Sequence, residues 1–214
     1  MILVIASIKG GVGKSCIATN IAVCLQSQGH KVKLIDGDKQ GTTTEWVEER
    51  RDLGQLPDIR FAQYTGNCRE DLLADERDGY TVVVDTGGHD SPMMRSALTA
   101  ATHLLIPSRT KRRDLKTLIQ MVQLIDEVKV VNPDLIVRGV ATQCPTLPSL
   151  GYRIQNAKDA FETFGITPLS YIINNREIYD DADEDGSSVF EFEPKNDKAI
   201  AEMTNIVNEI LGAK

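Results

Sequence analysis

Two lysines, three glycines and a serine stand within seven residues near the start of the chain, in Lys9-Gly10-Gly11-Val12-Gly13-Lys14-Ser15. Glycines at this density let backbone N–H groups approach an anion closely. A helix starting near Lys14 would aim its positive N-terminal end at the same point. Lys14 adds a point charge at the β- and γ-phosphates, and the Ser15 hydroxyl can ligate Mg²⁺. The G-x-x-x-x-G-K-[ST] pattern of phosphate-binding loops is met only at its end, because Ile8 stands where its first glycine would fall. The chemistry is still that of a phosphate cradle, with Gly10, Gly11, Val12, Gly13, Lys14, Ser15 and Cys16 as its binding residues. One lysine suffices for such a cradle, so the purpose of Lys9 is left open.

Two further stretches supply acids. KLIDGDKQ (33–40) and YTVVVDTGG (80–88) are apolar runs that end in Asp36 and Asp38 and in Asp85. In open α/β sheets ligands bind at the carboxyl ends of strands. Asp85 is a carboxylate that can serve a cation there. Gly87 and Gly88 permit backbone approach to a terminal phosphate. The D-x-D pair has a second use, since such side chains also cap the helix that follows. His89 is a loop histidine beside the site, and phosphoryl transfer needs positioning and charge more than a histidine base.

These residues require strands and helices in alternation to hold them. Strands are expected at 2–7, 31–36, 59–64, 80–85, 103–108, 135–143 and 166–173. Helices are expected at 13–28 (closed by Gly29), 42–54, 68–77, about 91–101, 114–131, 150–164 and 196–211. The fold class is therefore α/β, a mostly parallel sheet with helices on both faces. The 214 residues are expected to form one domain, 1–214. A net charge of −7 excludes a generic polycation. The four cysteines lack CxxC spacing, which points away from zinc knuckles and disulfide frameworks and toward a reducing cytoplasm. No signal peptide and no spanning segment is expected.

The KGGVGKS stretch resembles the deviant Walker A motif, KGGxGK[ST], of the ParA/MinD family of ATPases. The resemblance implies a P-loop NTPase fold, with ATP and Mg²⁺ as cofactors. It also implies that Lys9 is a signature lysine reaching the nucleotide of the partner in an ATP-dependent sandwich homodimer, while Lys14 serves its own ATP. By the same resemblance Asp38 positions the attacking water, so Lys9, Lys14 and Asp38 form the catalytic set. Ser15, Asp36 and Asp85 (of Walker B) form the metal set. Cys16 replaces a threonine at the α-phosphate, and Lys39 replaces a proline. The segment 174–192 is similar to the part of the small plasmid partition ATPases that lines the adenine. It matches at Arg176, Tyr179, Gly186, Ser188, Val189, Phe190 and Glu191. Gly87, Asn174 and Arg176 are accordingly expected to touch nucleotide. The chain begins at the first strand, like the compact ParF-like type, so no helix-turn-helix domain is expected.

The function implied is a partition ATPase that binds DNA non-specifically in its ATP state and segregates plasmid or chromosomal DNA. A centromere-binding ParB-type partner would stimulate hydrolysis. The expected location is cytoplasmic, on the nucleoid. SRTKRRDLK (108–116) places Arg109, Lys111, Arg112, Arg113 and Lys116 either on DNA or at the dimer interface. Ile200, Met203, Val207, Ile210 and Leu211 share one face of a terminal helix with few cations opposite, which reads as packing on the core and not as a membrane anchor. Two alternatives stand beside the leading one: positioning of another cargo such as a division site or microcompartment, and an ATP-dependent metabolic enzyme on the same scaffold.

Overall fold

A computed structural model describes residues 1–212, with backbone alone for Leu115; the last two residues of the expected domain lie outside it. Seven strands form one sheet: β1 Ile2–Ile5, β2 Val32–Gly37, β3 Arg60–Gln63, β4 Thr81–Thr86, β5 His103–Arg109, β6 Ile136–Thr142 and β7 Thr167–Pro168. Their order is β3-β2-β4-β1-β5-β6-β7, and every pairing is parallel. The helices are α1 Lys14–Ser27, α2 Thr42–Leu53, α3 Arg69–Arg77, α4 Pro92–Ala100, α5 Arg112–Leu115, α6 Leu118–Lys129, α7 Gly151–Thr163, α8 Ile178–Glu184 and α9 Asp197–Ile210.

Parallel strands need crossovers, and those crossovers cover both faces. Alternate residues of β1 point to opposite faces. Leu3 and Ile5 join a core with α1, α2 and α9, while Ile2 and Val4 join a second core with α3, α4 and α6. The terminal helix packs as its apolar face requires, with Met203, Ile206, Val207 and Ile210 buried. Helix α1 ends where Gly29 takes φ 88°, and His30 N–H donates to Leu25 O while Gly29 N–H donates to Gln26 O. That pair of bonds is a Schellman stop.

Two expected elements differ. The helix expected over 114–131 breaks at Lys116–Thr117 into α5 and α6, because Thr117 turns both its N–H and its hydroxyl to Asp114 O, at 3.0 and 2.6 Å. The strand expected over 166–173 shrinks to two residues. The Leu169 and Ile173 N–H groups still donate to Gly139 O and Ala141 O of β6, but the Tyr171 N–H between them, on the same side, donates to the Glu209 carboxylate of α9, as Ser170 N–H on the outer edge also does.

Candidate functional site

The sheet order reverses at β1, and the loop after β1 carries the glycines. Gly11 and Gly13 both adopt left-handed backbone, φ 70° and 89°, so a side chain at either would be strained. Two side chains at the end of β6 fix this loop from behind. Thr142 Oγ1 donates to Val12 O at 2.9 Å, and Gln143 Nε2 donates to Gly11 O at 3.1 Å. Gln143 itself sits at φ 47°, an uncommon conformation for a residue with a side chain. Sequence reasoning missed both anchors, because neither lies in a motif.

The loop forms one wall of a cavity of about 550 Å³ that also meets Asp38, Gln40, Gly88 and His89. Lys14 is only 7% exposed, and burial lowers its pKa, opposed by Asp85 and Asp38. Its Nζ lies 3.4 Å from Lys9 O. The Lys9 ammonium makes no hydrogen bond or ion pair among the described residues. Cys16 lines the same cavity, and burial raises its thiol pKa, so it stays a neutral thiol beside Asn20.

Asp36 and Asp85 face each other in register at the ends of β2 and β4. Both are fully buried, yet their surroundings differ. Asp36 Oδ1 accepts from Asp38 N–H at 2.9 Å. Its Oδ2 accepts from the Thr44 N–H at 2.9 Å and from the Thr44 hydroxyl at 2.7 Å. Asp36 therefore braces the turn and the start of α2, the capping use that a D-x-D pair allows. Asp85 Oδ2 accepts from Thr43 Oγ1 at 2.8 Å, while Asp85 Oδ1 has no hydrogen-bond partner among the described residues. Burial raises the Asp85 pKa to about 6, against the lowering effect of the Ser15 and Thr43 hydroxyls and Lys14. A buried carboxylate oxygen with nothing bound to it is costly unless a cation takes it. No three His, Cys, Asp or Glu side chains converge as a metal cage among the described residues. That suits Mg²⁺, which takes one or two protein oxygens and completes its shell with phosphates and water.

Asp38 Oδ1 accepts from the Gln40 N–H at 3.1 Å and lies 3.3 Å from where a Gly87 Cβ would stand. Gly87 thus sits against the Asp38 carboxylate, and His89 lies equally near it. A second cavity of about 260 Å³ shares Gly13 and Cys16 with the first and extends to Asn174, Arg176, Tyr179 and Asp180. Its wall is built around an acid on the polar side of the terminal helix. Glu202 of α9 accepts from Asn174 Nδ2, Arg176 Nη2 and Tyr179 OH at 2.6, 2.6 and 3.1 Å. Asn174 and Arg176 reach the cavity wall, but their polar ends are directed to Glu202.

The basic stretch divides. Arg109 Nε donates to the buried Asp114 and its guanidinium lies beside Gly11, which lines the phosphate cavity. Lys111, Arg112, Arg113 and Lys116 are exposed. The acidic stretch DDADEDG (180–186) lies mostly on α8, where Tyr179 and Ala182 are buried and Asp183 reaches the phosphate cavity.

Residues 3–189 match the family model of the CobQ/CobB/MinD/ParA nucleotide binding domain. The chain belongs to this family. It is 27% identical over 211 residues to the maintenance of carboxysome distribution protein A of Halothiobacillus neapolitanus, covering 98% of this chain and 95% of that one. It is 32% identical over 129 residues to a ParA protein of Rhizobium radiobacter, covering 59% of this chain and 56% of that one. Among solved structures, a Cyanothece McdA variant in complex with ATP superposes with a TM-score of 0.73 at 19% identity, over 100% of this chain and 96% of that one. The fold is the P-loop fold of the ParA/MinD ATPases, with ATP and Mg²⁺ as cofactors and ATP hydrolysis as the activity. No described helix is long and apolar enough to cross a membrane.

Proposed function

We propose that this ParA/MinD ATPase dimerises on ATP, rides on DNA without sequence preference, and positions a cargo. The observation that carries the nucleotide half is the buried Asp85 Oδ1, without a partner among the described residues and close to Lys14 and Ser15, which line the glycine-walled cavity. In this reading the loop from Gly10 to Cys16 holds the phosphates through backbone N–H groups, and Lys14 holds the β- and γ-oxygens. Ser15 and Asp85 would hold Mg²⁺, which would neutralise phosphate charge there. Asp36 holds the turn that carries Asp38. Asp38 orients the water whose oxygen attacks the γ-phosphorus as ADP leaves. The Lys9 ammonium, which makes no hydrogen bond or ion pair among the described residues, supplies charge to the partner's phosphates, as an arginine finger does. Asn174, Arg176 and Gly87 contribute mainly through the backbone that lines the base and γ-phosphate sides.

Two cargoes are open to such a machine. Similarity over nearly the whole chain to a protein named for carboxysome distribution supports a protein body. Similarity over a shorter stretch to a ParA protein supports a plasmid, with a ParB-type partner as stimulator. The coverage favours the first. The location is cytoplasmic, on the nucleoid. The test is binding to a random-sequence duplex with ADP or with a slowly hydrolysed ATP analogue, across a salt series. Triphosphate-dependent binding that weakens steeply with salt is expected, and Lys9→Ala should abolish it while still binding ATP. Absence of DNA binding in either state at low salt would sink the DNA-riding half.

A further inference from the structure

Thr43 is fully buried, and none of the roles above uses it. A threonine within a helix ordinarily returns its hydroxyl to a carbonyl one turn back. Thr19, Thr99 and Thr163 do so here, donating to Cys16 O, Ser96 O and Asp159 O. Thr43 does not. Its hydroxyl leaves α2 and donates to Asp85 Oδ2 at 2.8 Å. Its neighbour Thr44 gives its hydroxyl to Asp36 Oδ2. The first turn of α2 is thus tied to both strand-end acids, and that turn is the direct continuation of the Asp38–Gly41 loop.

A carboxylate turns about its last torsion, so fixing one oxygen fixes where the other points. With Oδ2 held by Thr43, Oδ1 is the oxygen left over, and it is the one without a partner among the described residues. We propose that Thr43 is a positioning residue for Asp85. It holds the carboxylate from the helix that continues the Asp38 loop, so that Oδ1 faces the cation and the metal site and the water-orienting loop are set by one turn of helix. The inference rests on the nucleotide reading above. Groups that orient metal ligands in this way commonly contribute ~10-fold or more to metal affinity.

The test is equilibrium binding of a fluorescent ADP to the full chain, titrated with Mg²⁺ from an EDTA baseline, for wild type, Thr43→Val and Thr43→Ser. Thr43→Val keeps the shape and removes the donor. It should raise the Mg²⁺ concentration for half-maximal tightening ~10-fold, with the EDTA baseline unchanged, and Thr43→Ser should restore the wild-type midpoint. A Val variant with the wild-type midpoint overturns the proposal. So does a Val variant weakened equally with and without Mg²⁺, or a Ser variant as impaired as Val. Should Thr43→Val not fold, Thr43→Ala is read by the same criteria. A wild type that binds ADP with no response to Mg²⁺ would overturn the nucleotide reading itself, an outcome distinct from failure of the Thr43 role alone.

Discussion

Gly88 lies against Gly10 so closely that a Cβ on Gly88 would stand 2.9 Å from both the nitrogen and the Cα of Gly10. The segment after β4 and the phosphate loop after β1 therefore touch backbone to backbone, and no side chain can yield between them. Gly10 itself has open space around its own Cβ position. The crowding is one-sided, and the two substitutions should behave differently. Gly88→Ala is expected to push the γ-phosphate segment off the loop and lower ATP hydrolysis ~100-fold, since displacement of about 1 Å in a site costs that much. Gly10→Ala should keep the Gly10–Gly88 approach intact and lose less. Steady-state phosphate release, with melting temperature as the control for folding, checks the pair. Equal losses would sink the argument from contact.

Helix α2 is latched at its far end as firmly as at its start. Arg50, 1% exposed, donates to both oxygens of Glu191, to Gly186 O and to Pro57 O, while Trp46 Nε1 donates to Ser187 O. The guanidinium also stacks over the Trp46 ring at 5.1 Å. Removing one member of a buried pair strands the other charge and costs about 3–5 kcal/mol. Glu191→Ala is expected to destabilise the fold by about 3 kcal/mol, the low end because Glu191 is partly exposed. Urea denaturation measures it, and a loss under about 1 kcal/mol would mean the latch is ordinary surface pairing.

Much of this was readable from residues alone, and the failures have physical causes. Strands such as YTVVVD and HLLIPS announce themselves because both faces of a central parallel strand are buried. The GKS and D-x-D residues announce themselves because their chemistry requires those types in that order. The anchoring acids do not. Glu202 and Glu209 occupy the polar face of an amphipathic helix, and a carboxylate that accepts from a distant backbone looks in sequence like one that faces water. The break between α5 and α6 was hidden for a related reason, since Thr117 and Asp114 interact through a backbone carbonyl that any sequence would supply. The G-x-S-V-F-E stretch was legible as a motif but not as a latch, because its partners Asn20, Trp46 and Arg50 lie more than a hundred residues earlier.

Asp183 places a carboxyl in the phosphate cavity, an unusual neighbour for an anionic ligand. Burial, with Glu49 and Asp180, raises its pKa to about 6. The folded chain therefore holds this proton more tightly than the unfolded chain. The contribution to stability is present at low pH and is lost as pH rises from about 4 through 6. Above that range the charge opposes bound phosphate. Asp183→Asn is expected to bind ADP more tightly than wild type at pH 7.5, with the advantage shrinking toward pH 5.5 as wild-type Asp183 takes up its proton. Titration calorimetry at both pH values checks this, and an advantage independent of pH would assign the effect to something other than the charge.

Glu202 should separate the two halves of nucleotide recognition. Its carboxylate gathers Asn174, Arg176 and Tyr179, which form the wall of the second cavity, but it touches nothing in the phosphate loop. Burial, followed by the nearby Glu202 charge, raises the Tyr179 pKa, so the phenol stays protonated and remains a donor. Glu202→Gln keeps the size of the side chain and can still accept, but it loses the charge that holds Arg176. Charged hydrogen bonds of this kind contribute about 1.5–3 kcal/mol, so loosening the wall should weaken ADP about tenfold, equivalent to about 1.4 kcal/mol. Inorganic tripolyphosphate, which has no base or ribose, engages only the first cavity and should bind the variant as it binds wild type. Competition of each ligand against a fluorescent nucleotide measures both. Equal weakening of the two would show that Glu202 supports the whole cleft, and unchanged ADP binding would show that the base wall does not depend on it.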